Sequence, residues 1–356
     1  MDFTALTSNE PAADQENTIA VRKPSGFKLV WLFWLLAVPA LWWALREVPF
    51  PQIAATIANL RGWQIAVLLV INLAVIAIFS LRWWFILKAM GGNLPFIRAI
   101  GYHLAGFGMS YFTAGPQVGG EPLQVMLVSQ SDTVKFPVAV SSVFLDKVFE
   151  LLTNFTFLVF GSLLLFSRGM SGEISARGWW IVAGVLLALP LLHLLALRNG
   201  FFPVSRFLAR LPWPWLRKVV SLTAQSEEHI SRLLKTNPKV IFSAAVISAV
   251  GWLLMFAEYA LMIRFLGGIF NSTQIFTAFL ASQLAFLTPL PGGLGALEAS
   301  QVMVFTSFGA LAGIGLSVSL LMRARDVLFG LVGLAIAGTA LNKRSAQPRA
   351  VPVQEK

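Results

Sequence analysis

The sequence predicts an all-α fold, a polytopic bundle of about six transmembrane helices plus two re-entrant broken hairpins, arranged as an inverted internal repeat. Three observations predict it. Of 356 residues, 57% are hydrophobic and only 12% are charged, with a mean hydropathy of +0.74; soluble domains lie nearer half apolar and a quarter charged. Six stretches are apolar and long enough to cross a bilayer, which takes about 20 residues for roughly 30 Å of hydrocarbon. Two other apolar regions are interrupted by proline and glycine, and the interruptions resemble each other.

Composition removes several function classes. There is no cysteine, so no disulfide and no thiolate metal site. The three histidines, His103, His193 and His229, are scattered, and neither a metal centre nor another cofactor is expected. The net charge of +11 lies between apolar spans and does not gather on one arm or helix, so nucleic acid is not an expected partner. Cytoplasmic loops facing anionic lipid account for it. No P-loop, nucleophile elbow or HExxH motif is present, and no nucleophile–base pair is evident. GGLGALE imitates a dinucleotide fingerprint but lacks the preceding strand that such a site needs. Nothing points to an enzyme.

The expected spans are 28–46, 63–87, 137–166, 179–197, 240–265 and 314–341. Trp63, Trp83, Trp84, Trp179 and Trp180 sit near their ends as interfacial anchors. The run 29–45 ends in Trp42-Trp43 and Arg46, the pattern of a retained helix and not of a cleaved signal. Residues 1–27 read as a disordered cytoplasmic segment and 342–356 as a basic cytoplasmic tail. The connection 198–239 carries Arg198, Arg206, Arg210, Arg217, Lys218, Arg232, Lys235 and Lys239. It reads as cytoplasmic, with 203–236 helical along the interface. Loop charge places both termini in the cytoplasm of a cell whose inner membrane the chain crosses.

Residues 99–130 and 273–312 do not read as full spans. In the first, TAGPQVGGEP separates 99–112 from 123–130; in the second, PLPGGLG separates 273–288 from 296–312. A 14-residue arm reaches only about 21 Å. Each region reads as two half-helices meeting at a break within the membrane, which is tolerated only where buried in protein or lining a wet cavity. The first enters from the cytoplasm and the second from outside.

These breaks belong to a longer repeat. Thr113 and Pro116, then Gly119, Gly120 and Glu121, correspond to Thr288 and Pro291, then Gly292, Gly293, Gly295 and Glu298. Lys88-x-x-Gly91-Gly92 corresponds to Arg264-x-x-Gly267-Gly268, Lys147-x-x-Glu150 to Arg323-x-x-Asp326, and Ser141 to Ser317. The repeats are placed at about 28–166 and 179–341. Three crossings per unit invert the second copy, an arrangement of many transporters in which discontinuous helices form a site near the midplane.

The candidate site follows from charge at depth. Asp146, Lys147 and Glu150 lie ten to fourteen residues into one span, and Arg323, Arg325 and Asp326 about as deep in another. Intramembrane charge costs about 2.5–3.5 kcal/mol per residue on insertion scales. Spacing puts Lys147 with Glu150, and Arg323 with Asp326, on one helix face. They form either structural ion bridges or a charged lining for a polar group in transit. Glu121 and Glu298 open half-helices, where a carboxylate complements the helix end or meets a cationic moiety. Free N–H groups at Gly119, Gly120, Gly293 and Gly295 could hold an anion such as phosphate. Pro116, Pro289 and Pro291 break the helices. Glu258 is deep in its span; Arg82, its repeat equivalent, lies nearer an end and can snorkel.

Pro116-x-x-Gly119-Gly120-Glu121, Ser141-Ser142-x-x-x-Asp146-Lys147-x-x-Glu150, Pro291-Gly292-Gly293-Leu294-Gly295-x-x-Glu298 and a late arginine-bearing span together resemble the lysylphosphatidylglycerol synthase transmembrane family, the flippase-like integral membrane proteins. The resemblance covers about 28–341. Asp146-Lys147 stands where an acidic–Arg pair is more usual. The resemblance implies a helical bundle with re-entrant hairpins that moves a lipid between leaflets, so membrane lipids are the expected partners. A lipid- or glycan-modifying enzyme is a further possible partner. Members that make lysyl-lipid carry a soluble transferase domain, and nothing after 341 could fold into one. Three alternatives stay open: a secondary transporter of a small solute, a non-catalytic accessory subunit of a lipid-modifying enzyme, and an integral membrane transferase. The oligomeric state is not legible.

Overall fold

The computed structural model describes residues 42, 49–113, 119–130, 133–167, 176–213 and 216–345. The expected first span and the N-terminal segment before it lie outside these residues, Trp42 excepted, as does Pro116. The described elements are helical, in the order α1 (Phe50–Ala58), α2 (Gly62–Ala89), α3 (Phe96–Phe112), α4 (Glu121–Ser129), α5 (Phe136–Ser167), α6 (Ala176–Arg198), α7 (Pro203–Ala209), α8 (Leu216–Thr236), α9 (Pro238–Phe265), α10 (Ser272–Phe286), a 3-10 turn (Pro291–Gly293), α11 (Ala296–Ser307) and α12 (Ala312–Ser345).

Element starts recur with one displacement. Helices begin at 62 and 238, at 96 and 272, and at 136 and 312, each pair 176 residues apart, and α2 and α9 both have 28 residues. The matched Gly-Gly pairs end them alike. The Gly92 N–H donates to the Leu87 carbonyl and the Gly268 N–H to the Ile263 carbonyl, both at 2.9 Å, with Gly91 and Gly267 at φ 84° and 81°. That is a Schellman closure, which needs a left-handed residue after the helix. The packing repeats too. α2 lies against α9, while α3 packs on α12 and α10 packs on α5, so each broken segment leans on the long closing helix of the other half.

Length and composition qualify two described helices as membrane-crossing, α2 and α9, with a third if Gly184–Arg198 and Pro203–Ala209, bent by 88°, count as one. Six spans are expected from the sequence. The first of these, Trp42 apart, lies outside the described residues; α5 and α12 are longer still, at 32 and 34 residues, and carry charged residues within their length. Such helices suit a bundle interior, not a lipid-facing wall. α12 also runs to Ser345, into the expected basic tail.

Both interrupted regions are broken. α3 and α4 are 17 and 9 residues, α10 and α11 are 15 and 12, so no arm exceeds about 26 Å at 1.5 Å per residue. Glycine permits the folding back. A Cβ on Gly120 would lie 1.8 Å from the Gly106 carbonyl oxygen, so α3 and the start of α4 touch backbone to backbone. At the second break Gly292, Gly293 and Gly295 all have positive φ, between 54° and 77°, which L side chains rarely adopt. α3 approaches α12 as closely: Gly108 faces the Gly330 carbonyl and Gly333 the Leu104 carbonyl, the small-residue contact that lets membrane helices meet.

The connection 198–239 folds as α7 and α8, as its composition predicts. Glu227, buried on α8, accepts from the Val204 and Ser205 N–H groups at 2.9 and 3.1 Å and so caps α7.

Candidate functional site

The charged residues of the four long helices and the two breaks form one connected interior. Arg82 on α2 is 1% exposed; its Nε donates to Asp146 Oδ1 at 2.6 Å and its Nη1 to Ser248 Oγ at 3.1 Å. Lys147 Nζ lies 2.8 Å from Glu150 and 3.2 Å from Glu121, tying α5 to the first residue of α4. Arg323 Nε donates to Glu298 Oε1 at 2.6 Å, tying α12 to the first turn of α11. Arg325 donates to Asp326 at 2.8 Å and to both oxygens of Glu258 at 2.9 Å.

Two of these arrangements are each other's image across the repeat. Lys147–Glu121 and Arg323–Glu298 join equivalent positions, so each half-helix carboxylate is clasped by a cation of its own repeat's closing helix. On α2 and α9 the symmetry crosses over. Asn72 Nδ2 donates to Glu258 Oε1 at 2.9 Å, and Arg82 to Ser248; 72 and 248, like 82 and 258, are 176 apart. The charge at the deeper position is inverted, arginine in one copy and glutamate in the other. Each then takes a partner of opposite sign: Asp146 for Arg82, Arg325 for Glu258.

Three expectations are corrected. Arg323 pairs with Glu298, not with Asp326 one turn along its own helix; Asp326 takes the adjacent Arg325, because Glu298 from the hairpin reaches Arg323. Arg82 does not snorkel. Asp146 and Ser248 satisfy it in the interior, which removes the cost that would drive it to the interface. The break N–H groups expected to be free are occupied. Gly119 donates to Glu121 Oε2 at 2.8 Å, Gly120 to Ser110 Oγ at 2.8 Å, Gly293 to the Leu290 carbonyl at 3.0 Å and Gly295 to Glu298 Oε2 at 3.0 Å. Glu121 and Glu298 each accept from a glycine at the start of their own half-helix, so these four glycine N–H groups are not open to an anion.

Both breaks meet at one cavity of about 100 Å³. Gly120 and Glu121 line it from the first, Gly292 and Gly293 from the second, with Lys147, Asp146, Glu150 and Asp326 from α5 and α12. Of its charged lining, four groups are carboxylates and one is a lysine. It adjoins a second cavity of about 210 Å³; His103, Phe107, Glu150, Phe286 and Asp326 line both. That cavity in turn shares Asn72, Met262, Arg325 and Phe329 with an open groove of about 400 Å³ between α1, α2 and α12, whose described lining is otherwise apolar.

The predicted residues mostly converge here. Gly119, Glu258, Gly295, Glu298 and Arg323 do not line the cavities; Glu298 with Arg323, and Glu258 with Arg325, form clasps behind them. Pro291 is buried in the 3-10 turn. Asn72, Ser248, Gln124, Tyr111 and Asn154 belong to the interior and were not legible as site residues. Asn72 and Ser248 carried a usable signal, since two polar residues in apolar spans stand one repeat length apart. Among the described residues, no group of three or more His, Asp or Glu is placed to hold a metal.

A bundle of long helices with charged residues facing inward, and two broken segments that meet at a charged cavity, defines a helical integral membrane protein. The chain belongs to the family described as the lysylphosphatidylglycerol synthase TM region, whose model matches residues 30–333. It is similar to a UPF0104 membrane protein of Pyrococcus horikoshii, 23% identical over 314 residues, covering 81% of this chain and 89% of that one. A UPF0104 membrane protein of Methanothermobacter thermautotrophicus is 21% identical over 267 residues, 70% of this chain and 76% of that one. No solved structure matches.

Proposed function

We propose that the protein is a lipid translocase of the inner membrane, with both termini cytoplasmic, and that membrane lipids are its partners. One observation carries the reading: a charged cavity built where two helix breaks meet continues, through shared lining residues, into an apolar groove. A polar head group and an aliphatic tail need those two environments side by side. The acidic lining takes hydroxyl or ammonium groups. Arg323 and Arg325 are committed to carboxylates, so a phosphate would have to displace Glu298 or Glu258 to reach them. The residues act by binding and orienting a head group, not by bond chemistry.

The test is reconstitution into liposomes containing a head-group-accessible labelled phospholipid. Transfer between leaflets should be faster than in protein-free vesicles, and Glu258→Gln should slow it while the protein stays folded. Transfer at the protein-free rate across a panel of phospholipids and lipid-linked sugars sinks the proposal. The acidic cavity also suits a secondary transporter of a small solute, which would show ion-coupled uptake in the same vesicles and no lipid transfer.

A further inference from the structure

The interior is acidic in a patterned way. Its ion pairs join six carboxylates, Glu121, Asp146, Glu150, Glu258, Glu298 and Asp326, to four cations, Arg82, Lys147, Arg323 and Arg325. Arg82–Asp146 and Arg323–Glu298 are matched one to one. Lys147 serves both Glu121 and Glu150, and Arg325 serves both Glu258 and Asp326. Among the described residues, the ion-paired groups of each repeat therefore include one carboxylate more than cations. One carboxylate of each overloaded trio lines both the first and second cavities: Glu150 in the first repeat and Asp326 in the second, 176 residues apart.

Unmatched charge at membrane depth is costly and is relieved by taking up a cation. Two polar side chains of the same cavities have an atom with no protein hydrogen-bond partner. Gln124, 7% exposed, lines the first cavity with no partner for its Nε2. His103 lines both, and its buried Nδ1 has no partner. Two carboxylates that share one cation can take up a proton, which needs no coordination shell.

We propose that Glu150 and Asp326, with His103 beside them, form a proton-binding site that couples cargo movement to proton movement; the coupling rests on the translocase reading, the site does not. The charged and titratable groups around the pair are Arg82 from α2, His103 and Tyr111 from α3, and Glu121 from α4. Asp146 and Lys147 come from α5, Glu258 and Tyr259 from α9, Glu298 from α11, and Arg323 and Arg325 from α12. A proton on Glu150 leaves Lys147 wholly to Glu121 and tightens the first hairpin against α5. A proton on Asp326 leaves Arg325 to Glu258. Protonation thus changes which helices are clasped, which is what a coupled carrier requires.

Two measurements on the full chain in lipid vesicles separate the site from its use. Infrared difference spectra between alkaline and acidic buffer should show a protonated-carboxyl band that Glu150→Gln or Asp326→Asn diminishes and the exposed control Glu228→Gln leaves in place. An imposed pH gradient should shift the steady-state distribution of labelled lipid by up to about tenfold per pH unit for one coupled proton, and should do so in neither cavity variant. A band unaffected by both substitutions, or one that follows sodium at fixed pH, overturns the site. Lipid movement that ignores the gradient overturns the coupling and leaves the translocase reading intact. A titrating band with no lipid movement keeps the site and removes the translocase reading.

Discussion

Arg82→Ala should be among the most damaging single substitutions in the chain. The guanidinium is enclosed, and Asp146, 4% exposed, has it as its cationic partner at 2.6 Å. Ser248 loses a donor at the same time. Removing one partner of a buried pair leaves an uncompensated charge and costs about 3–5 kcal/mol. The desolvation penalty belongs to both charges, so removing both should restore most of it. Arg82→Met with Asp146→Leu should lie within about 1–2 kcal/mol of wild type, giving a coupling energy of several kcal/mol. The exposed pair Arg232–Glu228, at 3.2 Å with side chains 70% and 60% exposed, is the control, and Arg232→Ala should cost under about 1 kcal/mol. Denaturant unfolding in mixed micelles reads wild type, Arg82→Ala, the double variant, its two singles Arg82→Met and Asp146→Leu, and Arg232→Ala. If Arg82→Ala costs no more than Arg232→Ala, or the double variant falls to the sum of the two singles, the interior pair is not carrying buried charge and the reasoning fails.

Glu298→Gln should destabilise more than Glu121→Gln, by about 1–3 kcal/mol, because Arg323 is 1% exposed and loses its carboxylate whereas Lys147 keeps Glu150; unfolding midpoints in the same micelles compare them. Gly120→Ala should cost about 1–3 kcal/mol or more by overpacking, since its Cβ has the Gly106 carbonyl in its place, and amide exchange should rise in α3 and α4 before the rest. Glu227→Ala should uncap α7 at a cost of about 1–2 kcal/mol, seen as faster exchange at Val204 and Ser205 with α2 and α9 unchanged.

The fold was legible where local chemistry is decisive. Long apolar runs can only be buried or lipid-facing helices, and Gly91-Gly92 and Gly267-Gly268 mark helix ends because a left-handed closure needs glycine. The broken regions were legible because proline and clustered glycine stop a helix whatever surrounds it. Site membership was partly legible, since charge in an apolar span is expensive anywhere. The pairing was not. Spacing along α12 favours Arg323 with Asp326, and only the folding back of the second hairpin brings Glu298 within reach. Arg82 looked like an interfacial residue because nothing local reveals that Asp146, 64 positions away, meets it.

The sequence alone determined that this chain is a helical membrane protein, where most of its helices end, which two segments are interrupted, and that motifs recur about 176 positions apart. Each of these depends on residues within a few turns of one another, or on an apolarity that no partner can change. The tertiary structure decided which carboxylate each cation holds, that the glycine N–H groups Gly119, Gly120, Gly293 and Gly295 already have acceptors, and that both breaks open onto one acidic cavity leading to an apolar groove. Those outcomes depend on distances of a few ångströms between helices remote in sequence, and electrostatic and hydrogen-bond energies are decided at that range.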